Sequence, residues 1–335
     1  MMSESTQPQT DPIGKLAQLP EGRADGKVVR GKEGWLFLDN DSNEFMKQHR
    51  GELLFTDEQL AQWRALLEAR IAWLKGRGVP YHFMVAPNPH SVYPDMLPFD
   101  VAPGTIRPVI QLIDYLKQTG SEAKLLYPLD RLVEARDRPV FTQTNTHWTD
   151  LGAFLAYEAL LDEIGDEAPV RRLTSSDLWF HETVHTGDLG AKLDPSASSL
   201  HLYAMPAQPV GKMTSDNRVF LNGHRIEYEC PEAGASVCLV LGDSFAHAML
   251  PFLCESFGRL VFAHITTLDQ QLVTQVEADI VVSVMNERYI IKVPTDKGAK
   301  TLEQLAGEKR ARGVVYPPSV KGGTRVDTPA PWRRD

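Results

Sequence analysis

Four short apolar runs do most to limit what this chain folds into. They are Tyr81-His-Phe-Met-Val-Ala86, Val237-Cys-Leu-Val-Leu-Gly242, Leu260–Ile265 and Asp279–Met285. A near-continuous apolar run marks a strand buried on both faces, as happens where helices cover both sides of a parallel sheet. The segments between them have helical periodicity. Leu60, Trp63, Leu67, Ile71 and Leu74 recur on one face of Asp57–Leu74, with Thr56 as N-cap and Gly76 and Gly78 past the end. Helices over Pro108–Thr119 and Leu268–Glu277, and a strand near Lys124–Tyr127, continue the alternation. Strand, helix and strand in turn predict an α/β fold, a mostly parallel sheet flanked by helices. Arg218–Tyr228 reads as a small β-hairpin insertion, with Asn222-Gly223 as its type I′ turn.

A chain of 335 residues has room for one large domain or two small ones. The pattern divides it into a flexible segment at 1–28, an α/β domain at 29–291 with a β insertion at about 170–230, and a tail at 292–335. One short helix is expected in that tail, at Thr301–Arg310. A net charge of -9 without a dense Lys/Arg cluster speaks against nucleic acid. Cys230, Cys238 and Cys254 lack metal-ligand spacing and read as reduced, buried thiols. The polar N-terminus has no apolar h-region. As written, the chain is therefore expected in the cytoplasm, or in the periplasm if a leader was removed.

The chemistry gathers at two places. Gly242-Asp-Ser244 interrupts an apolar strand and leads into an apolar helix, bent or broken near Pro251. A serine there is exposed at the carboxyl end of a strand, where open α/β sheets put their sites. The N–H groups opening the next helix are suited to an oxyanion. The plainer alternative is a turn with an N-cap. Phe141–Ala153 is the second place: His147 stands just before a helix starting at Thr149 or Asp150, whose positive end favours a neutral imidazole. Asn145, two residues earlier, is placed to fix the tautomer through its side-chain oxygen. Pro87–Pro98 is a proline-stiffened loop at the sheet's carboxyl edge, with Asn88 and His90 as polar candidates.

Four stretches together resemble the SGNH-type acetyltransferases of the AlgX/AlgJ family, which act in alginate and other exopolysaccharide O-acetylation. They are Gly31-Lys-Glu-Gly-Trp-Leu-Phe37, Tyr93-Pro-Asp-Met-Leu-Pro98, Asn145-Thr-His-Trp-Thr-Asp-Leu-Gly-Ala153 and Leu241-Gly-Asp-Ser-Phe245. Gly187-Asp-Leu-Gly190 and Asn286-Glu-Arg-Tyr289 are similar to weaker family features. The resemblance runs over roughly residues 28–291. It implies an SGNH-hydrolase-like fold with Ser244 as nucleophile, His147 as base and an acyl-serine intermediate. It further implies a carbohydrate acceptor, an acyl donor protein of the membrane-bound O-acyltransferase kind, and neither cofactor nor metal. Asn88, Arg288 and Asp243 are the candidates for the oxyanion or the substrate.

The family pattern has Asp where this chain has Asn145. Asn orients the imidazole but adds no charge, and such a change in a serine triad costs about 10⁴ in turnover when the tautomer is lost. A degenerate glycan-binding or scaffolding domain, or a simple esterase, therefore stays open. A third reading is His181-Glu-Thr-Val-His185, an H-E-x-x-H match to zinc proteases. Thr183 and Val184 favour a strand there, which would hold the two histidines about 13 Å apart.

Overall fold

The computed structural model describes residues 21–23, 27–39, 41–98, 103–193 and 198–316. A small antiparallel ribbon comes first, with β1 (Gly22–Arg23), β2 (Val28–Arg30) and β3 (Leu36–Leu38) in that order. The rest is built on one six-stranded sheet. Its members are β4 (Tyr81–Ala86), β7 (Lys212–Asp216), β8 (Arg225–Glu229), β9 (Val237–Gly242), β10 (Arg259–His264) and β11 (Ile280–Asn286), in the order β4-β11-β9-β10-β8-β7. The first four in that order are parallel, and β8 and β7 continue the sheet antiparallel. A separate two-stranded sheet pairs β5 (Leu178–His185) with β6 (Ser199–Pro206).

Alternate residues of the parallel strands explain the unbroken apolar runs. Phe83, Val85 and Met285 pack with the helices Asp57–Lys75 and Pro108–Gln118. Leu239, Leu241, Val261 and Val281 join Leu272 and Leu302 on that side. Met84, Ala86, Val240, Val282 and Val284 pack on the other side with Asp150–Ile164 and Ser244–Leu253. With both faces covered, no polar alternation survives. The helix ends follow their caps. Thr56 with Gln59 and Thr301 with Gln304 form reciprocal capping boxes.

Several expectations are corrected. Lys124–Tyr127 is not a strand; it contributes a single bridge between Leu126 and Met84 at the outer edge of β4. The hairpin is β7 with β8, so its first strand starts earlier than Arg218, and it extends the main sheet. No type I′ turn forms, because positive φ falls at Leu221 and Gly223, not at Asn222. Asn217 holds the connection instead: its Oδ1 accepts from the N–H groups of Val219 and Arg225, and its Nδ2 donates to the Gly223 carbonyl. The helix Ser244–Leu253 runs through Pro251 rather than breaking there.

The expected flexible segment at 1–28 lies mostly outside the described residues, although Gly22–Arg23 pairs with β2. The segment expected as a tail contains its helix, at Leu302–Ala311. As far as Tyr316 it is tied to the body. Asp296 forms a bidentate pair with buried Arg70, and Leu302 and Ala306 are buried. Among the described residues no helix is long and apolar enough to cross a membrane. The three cysteines are buried and unpaired.

Candidate active site

The turn after β9 is built around two residues. A Cβ on Gly242 would stand 2.5 Å from the Cβ of Ala246 and 2.8 Å from the Val284 carbonyl, so only glycine lets the chain turn this tightly into the helix. Asp243 is the N-cap. One carboxylate oxygen accepts the Phe245 N–H at 2.9 Å, and the other accepts the Asn286 N–H at 2.8 Å from the end of β11. Burial pushes the Asp243 carboxyl up, and the N–H donors around it oppose that rise. The expected oxyanion or substrate role for Asp243 meets an obstacle here, because its carboxylate is occupied with backbone. Ser244, half-buried, is the first helical residue, so its N–H has no acceptor a turn earlier.

His147 is presented by a loop closed on itself. Phe141 bridges Trp148, the Thr149 N–H donates to Val140, and the Thr149 hydroxyl donates to the Pro139 carbonyl. Asn145 Oδ1 accepts the His147 backbone N–H at 3.0 Å and stands 3.0 Å from Nδ1. An oxygen facing Nδ1 requires the ring to carry its proton there. That leaves the Nε2 lone pair facing Ser244 Oγ, at 2.8 Å. The imidazole rests on the Phe245 ring, with centroids 5.2 Å apart. Burial lowers the His147 pKa, the Asp188 carboxylate opposes that, and Arg288 adds to it.

The other candidates divide. Asn88 follows β4 at the same edge of the sheet. Its N–H donates to Glu287, and its buried Nδ2 has no hydrogen-bond partner among the described residues. Arg288 does not pair with Glu287; its Nε is 3.9 Å from Asp41 and its guanidinium lies against the Tyr289 ring. His90 is structural: it is enclosed by Phe37 and Phe45, bonds the Leu38 carbonyl at 2.9 Å, and burial pushes its pKa down to about 3. His181 and His185 lie on β5, a strand. Among the described residues no group of three His, Cys, Asp or Glu is set to hold a metal ion.

Two features escaped sequence reasoning. Glu287 is 3% exposed; it takes the Asn88 N–H and the Ser91 hydroxyl and pairs with Arg107 at 3.2 Å, so it anchors the Asn88 loop. Asp188 accepts both the N–H and the hydroxyl of Thr146, each at 2.7 Å. The only signal for it was the Gly187–Gly190 stretch, which carried no chemistry when read alone.

A serine and a histidine from loops at the carboxyl edge of a mostly parallel, helix-flanked sheet define an SGNH-hydrolase-like domain. The sequence profile of the SGNH hydrolase-like domain of the acetyltransferase AlgX matches residues 28–263. The chain belongs to that family. It is 29% identical over 196 residues to a probable alginate O-acetylase AlgJ of Pseudomonas fluorescens, a match covering 55% of this chain and 45% of that protein. It thus spans less than half the length of this relative. Among solved structures, Bacillus cereus PatB1 superposes with a TM-score of 0.61 at 15% identity, covering 80% of this chain and 99% of that one. A DHHW family protein from Eubacterium siraeum gives a TM-score of 0.55 at 16% identity, over 82% of this chain and 96% of that one. At these identities the two structures speak for the fold alone.

Proposed function

We propose that this protein moves an acetyl group onto a carbohydrate hydroxyl through an acyl-Ser244 intermediate. The observation that carries the reading is the 2.8 Å approach of His147 Nε2 to Ser244 Oγ, with Nδ1 held by Asn145. Nε2 takes the hydroxyl proton as Oγ attacks the acyl carbonyl. The proton then passes to the leaving group, which departs as acyl-serine forms. A sugar hydroxyl next gives its proton to Nε2 and attacks the ester carbonyl; the bond from that carbon to Oγ breaks, and Nε2 returns the proton to Oγ, regenerating Ser244. The oxyanion of both steps falls to the Ser244 N–H, with Asn88 Nδ2 as the second donor, because a buried amide without a partner suits a transient charge. An acyl donor protein of the membrane-bound kind fits the family's chemistry and stands as part of this reading. The catalytic unit proposed is residues 29–291.

The test is intact mass after incubation with an activated acetyl ester. One acetyl adduct, lost in Ser244→Ala, supports the reading; an adduct that persists in Ser244→Ala removes it. No adduct on the natural protein favours a binding domain over an enzyme. Fast turnover in water without gain from added oligosaccharide favours an esterase.

A further inference from the structure

We propose that Asp188 supplies the negative charge that Asn145 does not, acting on His147 through the Thr146 hydroxyl. This rests on the catalytic role proposed for His147. An acyl-transfer base becomes imidazolium at each step, and a triad carboxylate stabilises that cation. Asn145 orients the ring but is neutral. Another acid must therefore lie close, or the site forgoes that stabilisation.

Asp188 is that acid. Its Oδ2 accepts the Thr146 hydroxyl at 2.7 Å, and Thr146 Oγ1 stands 3.3 Å from His147 Nδ1. The carboxylate is thus within about 6 Å of the ring, inside the range where an opposite charge favours the protonated form. Its position is built. Thr144 takes the N–H groups of Leu189 and Gly190 on its carbonyl and that of Gly187 on its hydroxyl, so both sides of Asp188 are pinned to the histidine loop. The second oxygen accepts the Thr146 N–H, which keeps the carboxylate facing the loop. Arg288 is the other charge that reaches His147, and it opposes the imidazolium. Asp188 acts against both that cation and the burial of the ring. It touches neither substrate nor reacting atoms, so it is a positioning and charge-balancing residue.

The experiment is a two-by-two series: Asp188→Asn in the natural protein and in Asn145→Asp. Acyl-enzyme formation is followed by mass across pH, and the His147 ring is followed by NMR titration, assigned with His147→Gln. In the natural protein Asp188→Asn is expected to slow acylation about 10- to 100-fold and to lower the His147 titration midpoint. In Asn145→Asp, where the charge sits directly on Nδ1, the same change is expected to cost less than about threefold. Equal losses in both backgrounds with an unmoved titration would reduce Asp188 to a loop pin and overturn the proposal. Should Asp188→Asn not fold, Thr146→Val carries the test by removing the hydroxyl link: loss confined to the natural background supports the proposal, and equal loss overturns it. A natural protein that forms no acyl-enzyme sinks the catalytic reading, and the titration then decides the Asp188 relation by itself.

Discussion

Gly187 lies directly against Thr144, so close that an added Cβ would collide with the Thr144 carbonyl and stand 2.7 Å from the Asn145 Cβ. The contact presses the 187–190 turn onto the histidine loop. The obstruction is backbone, so Gly187→Ala has to push the two segments apart. We expect it to destabilise the fold by about 1–3 kcal/mol and to slow acylation by more than that loss accounts for. Thermal melts set beside acylation rates check this, and an unchanged rate would mean that the clamp does not position His147.

Removing the proposed base separates chemistry from folding. His147→Gln is expected to lower acylation by about 10³-fold or more while leaving the melting temperature within a few degrees. A loss below about tenfold would assign the proton to another group.

The pH profile follows from the direction of the His147 shift. Burial lowers its folded-state pKa below the ordinary 6.5. The neutral ring is the active form, so the rate rises with pH through that lowered value and is flat above it. The acid limb of acylation should therefore have its midpoint below 6.5. A midpoint above this value would show that Asp188 outweighs burial.

Glu287 and Arg107 form a buried pair, their side chains 3% and 11% exposed. Removing one partner strands the other's charge. Arg107→Met is expected to destabilise by about 3–5 kcal/mol, and Glu287→Gln by a similar amount. Glu287→Gln should also disturb acylation, because Glu287 holds the Asn88 N–H. Urea titrations of both variants measure the first effect. A loss under about 1 kcal/mol would mean that water reaches the pair.

Buried histidines make stability depend on mildly acidic pH. Burial pushes His201 and His264 down to about 4 from 6.5. The unfolded chain binds more protons than the folded one between those values, so stability is full above about 6.5 and falls as pH drops toward the folded values. Burial pushes the Asp150 carboxyl up to about 6, which acts in the opposite sense, but it is one group against several buried histidines. Between about pH 6.5 and 5 the urea midpoint should therefore still decline, and His264→Gln should flatten part of that slope. A flat midpoint in natural protein over this window would contradict the shifts.

What was legible in the sequence was what local pattern encodes. The runs at Tyr81 and Val237 read as doubly covered strands because both of their faces are covered, and Thr56 announced its helix by capping. The placement of Ser244 after a strand, and of His147 and Asn145 before a helix, was readable because turn chemistry and helix starts are local. The turn of the hairpin was not, since Asn217 bonds across it in a pattern that no turn motif announces and Gly223 packs against Ala306 from far along the chain. Asp188 was hidden for the same reason. Its place beside Thr146 depends on a clamp between segments about 40 residues apart.

The serine and histidine are separated by 97 residues of chain. Ser244 is held by its own helix cap and by the neighbouring strand, whereas His147 stands on a separate loop and meets it only across the packed helices Asp150–Ile164 and Ser244–Leu253, where Phe154 lies against Phe252. Closure over such a span comes late in folding, because loop entropy is spent before the contact rewards it. Refolding chains should thus regain their circular dichroism before they accept an acetyl group. A partly refolded chain would be chemically silent, and competence would arrive with the last contact rather than the first.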